Sequence, residues 1–199
     1  MESQNQNEVE KQKENNGKER QLGYFQYVLQ AIKDPEHLLS NKAQGKHQFG
    51  LFTLIAFIVL VLLSSIVGIF GYLDSLSYFG FSDYFNYFER AISYAVALGL
   101  VLLMFKNIAE KNGNTYDLNF FIEKLGALLV IPSVLLVVSL PLEIVDITIH
   151  SWFSGLAYTF LYLSIFLISY LFIAKNNLKT AVLFVAGFYF VYRIIYLVL

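Results

Sequence analysis

The residue types that do chemistry are few in this chain and widely scattered. Its three histidines are His37, His47 and His150. They form neither an HExxH helix nor another pair at the spacing that holds zinc. Cysteine is absent, which excludes disulfides, thiolate nucleophiles and Cys-type zinc or iron–sulfur sites. No Gly-x-Ser-x-Gly elbow occurs, so a serine hydrolase lacks its nucleophile turn. Ser154-Gly155 beside His150 does not replace it. No two glutamates are adjacent, which removes the paired-glutamate motif of intramembrane CAAX-type proteases. Lys111-Asn112-Gly113-Asn114 reads as an ordinary turn and not as a phosphate-cradling loop. The chain is therefore not expected to be an enzyme, and no metal or cofactor site is read from it.

The remaining chemistry is charge inside apolar sequence. Arg193 lies within the last apolar stretch, 14 residues after Lys179, or roughly 21 Å along a helix. An arginine at membrane depth is a functional candidate whose partner should be named. Glu89, Arg90, Glu143 and Asp146 are expected at the same outer level. An Arg193–Glu143 salt bridge, with Glu89–Arg90 nearby, would clamp three spans. The competing readings are an arginine snorkelling among Tyr189, Tyr192 and Tyr196, and a phosphate-lipid or anion site.

The elements that position these residues follow from composition. Of 199 residues, 57% are hydrophobic and 15% charged, against about 25% charged in an ordinary soluble domain. The apolar residues fall in five blocks, each near the roughly 20 residues that a helix needs to cross a bilayer. The expected fold is all-α, a polytopic bundle with spans at about 49–72, 85–105, 120–142, 150–174 and 178–199. Within it, 48–199 would form the transmembrane domain. The net charge of −1 gives no global basic field for nucleic acid. Twelve of the 14 Lys and Arg residues lie before span 1 or in the loops after spans 2 and 4 and their flanking span ends. By the positive-inside rule the N-terminus is cytoplasmic and the C-terminus outside. Tyr72, Tyr78, Phe79, Tyr84, Phe85, Tyr87, Phe88 and Trp152 read as an interfacial aromatic belt.

Residues 1–20 are Glu-, Gln-, Asn- and Lys-rich and are expected to be a disordered tail. In the segment 21–47, Leu22, Phe25, Val28, Leu29 and Ile32 recur at helical spacing. Asp34 is placed to cap a second short helix with Pro35 in its first turn. The segment is expected to be an amphipathic element at the cytoplasmic membrane surface, or one packed on the protein's own loops. Phe25, Leu29 and Pro35 are its candidate docking residues.

Two packing features stand out inside the spans. Ala91, Ala95 and Gly99 form a small-residue stripe, with Ser64, Gly68 and Gly71 on a similar face of span 1. Such stripes admit close helix approach, within the chain or in a homo-oligomer. Pro132 lies mid-span and is expected to kink span 3. Broken helices line substrate sites in transporters.

The layout resembles the Yip family (Ypt-interacting proteins) and its bacterial branch. The resemblance rests on five spans with almost no tail and on the lead-in Val28-Leu29-Gln30-Ala31-Ile32-Lys33-Asp34-Pro35. It rests also on Gly68 and Gly71, and on Phe120-Phe121-Ile122-Glu123-Lys124-Leu125-Gly126 leading to Ile131-Pro132-Ser133. Some bacterial relatives carry a cysteine zinc ribbon before the spans, which this chain lacks. The resemblance implies a non-enzymatic membrane adaptor or scaffold with membrane lipids and an unidentified protein as partners. In eukaryotes it also implies small-GTPase and vesicle partners, which are not carried over here. The Asn-, Lys-, Ile- and Phe-rich, cysteine-free composition suggests a bacterium of low genomic GC, and the expected location is a bacterial plasma membrane. The alternatives are a small transporter, channel or lipid-handling protein, and an immunity or membrane-stress-resistance protein.

Overall fold

The computed structural model describes residues 23–39, 45–67, 81–145, 147–174 and 177–199. The tail expected over 1–20, together with Gly68, Gly71 and Asp146, lies outside them. Two short helices, α1 (Tyr24–Lys33) and α2 (Pro35–Leu38), precede five long ones. These are α3 (His47–Val67), α4 (Phe81–Lys111), α5 (Leu118–Ile144), α6 (His150–Ile168) and α7 (Leu178–Val198). A π-helical stretch, Ser169–Ile173, continues α6. All five long helices are long and apolar enough to cross a membrane. The expected all-α, five-span bundle is the fold.

Short polar side chains set several helix starts by accepting the backbone N–H groups that a first turn leaves over. Asp34 Oδ1 accepts from His37 N at 3.2 Å, with Pro35 in the first helical position of α2. Asp117 Oδ1 accepts from Phe120 N at 2.8 Å, and Asn177 Oδ1 from Thr180 N at 3.2 Å.

Helix α5 is the centre of the bundle. Half of its most apolar stretch is buried, against 17% for α7. It packs on α3 along one side and α6 along another, and α4 joins α3 to α7. Phe121, Leu125, Leu129 and Leu136 of α5 meet Phe57 and Val61 of α3, Leu98 and Phe105 of α4, and Leu161 and Ile165 of α6. Leu51, Phe52 and Ile55 on α3, and Val182, Leu183 and Phe190 on α7, are left exposed, as lipid-facing residues are. Lipid is as apolar as leucine, so close packing decides how such helices associate.

The closest packing is between α3 and α5. A Cβ on Gly126 would overlap the Gly50 backbone, and a Cβ on Gly50 would overlap the Ile122 carbonyl oxygen. Only glycine at both positions permits this approach. The stripe on α4 is different: Ala91 is buried, Ala95 half-buried and Gly99 exposed. A Cβ on Gly99 would meet nothing within 4 Å. Within the bundle, Ala91 is the buried member of that stripe.

Pro132 is buried inside α5, which is helical from Leu118 to Ile144. The missing proline N–H leaves a carbonyl in the preceding turn without its donor. The Ser133 hydroxyl donates to the neighbouring Leu129 carbonyl at 2.8 Å. The irregular helix is α6. Its π stretch closes with Ala174 N donating to the Ser169 carbonyl at 2.7 Å. Asn112 and Asn114, in the turn held by Gly113 at φ 76°, donate side-chain N–H bonds to the Ile173 and Phe172 carbonyls at 3.3 and 3.4 Å. The turn that reads as ordinary from sequence thus supplies donors to the end of a neighbouring helix.

Candidate interaction site at the N-terminal element

Helices α1 and α2 lie across the N-terminal half of α5. Tyr27 and Ala31 of α1, with Leu38 of α2, are buried against Ala127 and Val130 of α5. Aromatic edges extend the contact to α3: the Tyr24 ring is 4.6 Å from Phe52 and the Tyr27 ring 5.5 Å from Phe49. Thr53 Oγ1 donates to the Phe49 carbonyl at 3.0 Å, so it accepts from the Tyr24 hydroxyl at 3.1 Å.

A buried ion pair fastens this contact. Lys124 is 0% exposed and Glu123 3%, and Lys124 Nζ lies 2.9 Å from Glu123 Oε1. The same ammonium donates to the Leu38 carbonyl at 2.8 Å and sits 5.1 Å above the Phe120 ring. Glu123 Oε2 accepts from Lys46 N at 2.9 Å. Lys46 Nζ then donates to Gln30 Oε1 at 3.0 Å, which leaves the Gln30 amide nitrogen to donate to His37 Nδ1 at 3.1 Å. One charge pair therefore ties α2, the lead-in to α3, and α5, and reaches α1 through Gln30. Buried charges cost several kcal/mol each unless paired and hydrogen-bonded, so any arrangement that separates these groups is disfavoured.

From sequence, Lys124 reads as the charged border of span 3. The available signal was position: Glu123-Lys124 has Phe120-Phe121-Ile122 before it and a long uncharged run after it. Charges flanked by apolar residues on both sides need a partner inside the protein.

Tyr27 is fully buried, and its hydroxyl has no hydrogen-bond partner. Burial pushes its phenol well above the usual tyrosine range, with smaller contributions from Glu123 and Tyr24. The side chain stays neutral at all ordinary pH. A buried hydroxyl without a partner is destabilising. Tyr27→Phe is expected to leave thermal stability in detergent unchanged, or raise it by up to about 1 kcal/mol. A loss of that size would mean that the hydroxyl has a partner in the membrane.

The opposite side of α1 is open. Phe25 is 72% exposed, and Leu29 and Ile32 beside it are exposed as well. Spacings of four and three residues set these three in one stripe. Pro35 is half-buried in the first turn of α2. Of the three expected docking residues, Phe25 and Leu29 share the surface, whereas Pro35 shapes the turn.

The charges expected at the other end of the bundle are arranged differently. Arg193 is exposed and lies 5.9 Å from the centre of the Tyr196 ring. Glu143 accepts from the Ser64 hydroxyl at 3.4 Å. Arg90 lies 5.9 Å from the centre of the Tyr158 ring, and Glu89 is half-buried. Arg193 and Glu143, both among the described residues, are not within ion-pair distance of each other, so the Arg193–Glu143 clamp is not formed. Aromatic rings take its place, since a guanidinium near a membrane interface is held well by tyrosine faces. Tyr94 stacks between Tyr158 and Tyr192, with ring centres 5.5 and 4.3 Å apart. Not all the tyrosines therefore belong to an interfacial belt. Arg193→Leu is expected to lower thermal stability by less than about 1 kcal/mol, the range of an exposed cation–π contact.

Five helices long and apolar enough to cross a membrane, packed around an apolar core, define an integral membrane protein. No protein-family model, curated protein or solved structure matches the chain.

Proposed function

We propose that this chain is a non-enzymatic membrane adaptor of the Yip-like type. In this reading it lies in a bacterial plasma membrane with its N-terminus in the cytoplasm and its C-terminus outside. It acts by presenting α1 to a membrane or cytoplasmic protein. The observation that carries the reading is the two-sided character of α1. Tyr27 and Ala31 are fixed in the bundle, while Phe25, Leu29 and Ile32 project from the other side. A face held in place by buried contacts has little left to order when a partner binds, which favours affinity. The lysines on the α1 side of the spans support a cytoplasmic position. The transport alternative draws on a kink at Pro132 and on the outer charged cluster, and it predicts a specific flux lost on Pro132→Ala or Arg193→Leu.

Photo-crosslinking groups at positions 25 and 29, used in native membranes and read by mass spectrometry, test the reading. The expected result is a reproducible protein partner that is lost in a Phe25→Ser, Leu29→Ser variant. Crosslinks only to lipid and to the chain itself would reject it.

A further inference from the structure

Helices α4 and α7 enclose a groove away from the N-terminal element. It is lined by Leu100 and Met104 of α4 and by Thr180, Leu183, Gly187 and Val191 of α7, with Phe188 at its buried floor. Apart from Thr180 at one end, every lining residue is apolar. Leu100, Met104 and Leu183 are exposed at its rim, so the groove opens sideways, onto the surface that five membrane-crossing helices turn toward lipid. Water would find almost no hydrogen-bond partner in it.

We propose that this groove holds one acyl chain of a phospholipid from the leaflet on the lysine-rich side of the bundle. Size decides the occupant. The cavity is about 250 Å³ and runs from Thr180 to Val191, roughly 16 Å of helix. It is therefore a narrow slot, whereas a helix with its side chains is about 10–12 Å across. A transmembrane helix of a second copy or of another protein does not enter such a slot, whereas a single polymethylene chain does. The groove is continuous with the lipid-facing side of α7, where Val182, Leu183 and Phe190 are exposed. Its axis follows the helices, as an acyl chain in the bilayer does. Gly187 makes the room: a Cβ there would meet nothing within 4 Å.

The test is lipid retention by the purified full chain. After washing in mild detergent, native mass spectrometry of the wild type is expected to show one phospholipid per chain. Gly187→Leu sends its side chain into the groove and is expected to lower that occupancy about tenfold or more, since each displaced methylene weakens apolar burial. Gly155→Leu is the control, because a Cβ on that α6 glycine also meets nothing within 4 Å, and it is expected to retain the lipid. Equal retention by Gly187→Leu would overturn the proposal. Should that variant not fold, a phospholipid carrying a diazirine in its acyl chain reports on the wild type. Labelling concentrated in the α4 and α7 residues of the groove supports the site. Labelling spread evenly over the exposed faces of α3, α6 and α7 overturns it, as does a crosslink from the groove to a second copy.

Discussion

Replacing Lys124 by methionine is expected to cost about 3–5 kcal/mol, the range for removing one partner of a buried ion pair. Methionine fills the space of the lysine stem, so lost charge dominates over lost packing. The Glu123 carboxylate would stay buried without the ammonium at 2.9 Å, and the Leu38 carbonyl would lose its donor at 2.8 Å. The damage should be local first. The bundle core around Phe57, Leu98, Leu129 and Leu161 does not include the pair, whereas α2 and the lead-in to α3 depend on it. Hydrogen exchange over 24–39 should rise before the five spans lose protection, as in other sub-global openings. Adding Glu123→Gln should recover part of the stability, because the uncompensated charge is removed. If exchange over 24–39 is unchanged by Lys124→Met, the pair is not what fastens α1 and α2.

Gly126→Ala carries the second large expected effect. Its methyl group would land on the Gly50 backbone, and neither helix has a side chain there that can swing aside. Overpacking costs about 1–3 kcal/mol even where side chains can adjust, so about 3 kcal/mol or more is expected for a backbone collision. Gly99→Ala is the matched control, since its Cβ meets open space. An alanine there should be neutral, or stabilise by up to about 1 kcal/mol through helix propensity. Thermal unfolding of both variants in one detergent gives the comparison. Similar melting of the two would refute the close approach of α3 and α5.

What the sequence disclosed and what it withheld divide along physical lines. The five spans were legible because crossing a bilayer requires a long apolar run, and such a run is visible without knowing its neighbours. The cap at Asp34 acts within one turn, so it too is local. Helix α1 was half legible. Phe25, Leu29 and Ile32 share a stripe by spacing alone, but Tyr27 and Ala31 make its other side apolar as well. Which side is buried depends on Ala127 and Val130, far along the chain. The same holds for Gly50, which looks like any glycine until Gly126 is set against it. Arg193 has an outer depth that counting residues supplies, but its contact with Tyr196 in place of Glu143 is a matter of rotamer and rotation that spacing does not carry. In the Glu123–Lys124 pair, Lys124 reads as the border of a span because charge normally marks one. Only the covering by α1 and α2 makes the pair interior.

The meeting of Gly50 and Gly126 has a mechanical consequence. Two rods in contact through their backbones at one point, with no compressible side chains between them, have a fulcrum there. It lies toward the end where α1 docks, a few residues into α3. At the far end the same two helices are joined by a hydrogen bond of 3.4 Å between Ser64 and Glu143, long for a hydroxyl donor. Any relative movement of α3 and α5 would therefore turn about this point, with a short arm on the side of α1 and a longer arm, packed through Phe57 and Val61, on the other. A small adjustment near the pivot appears as a larger displacement at the opposite face of the membrane.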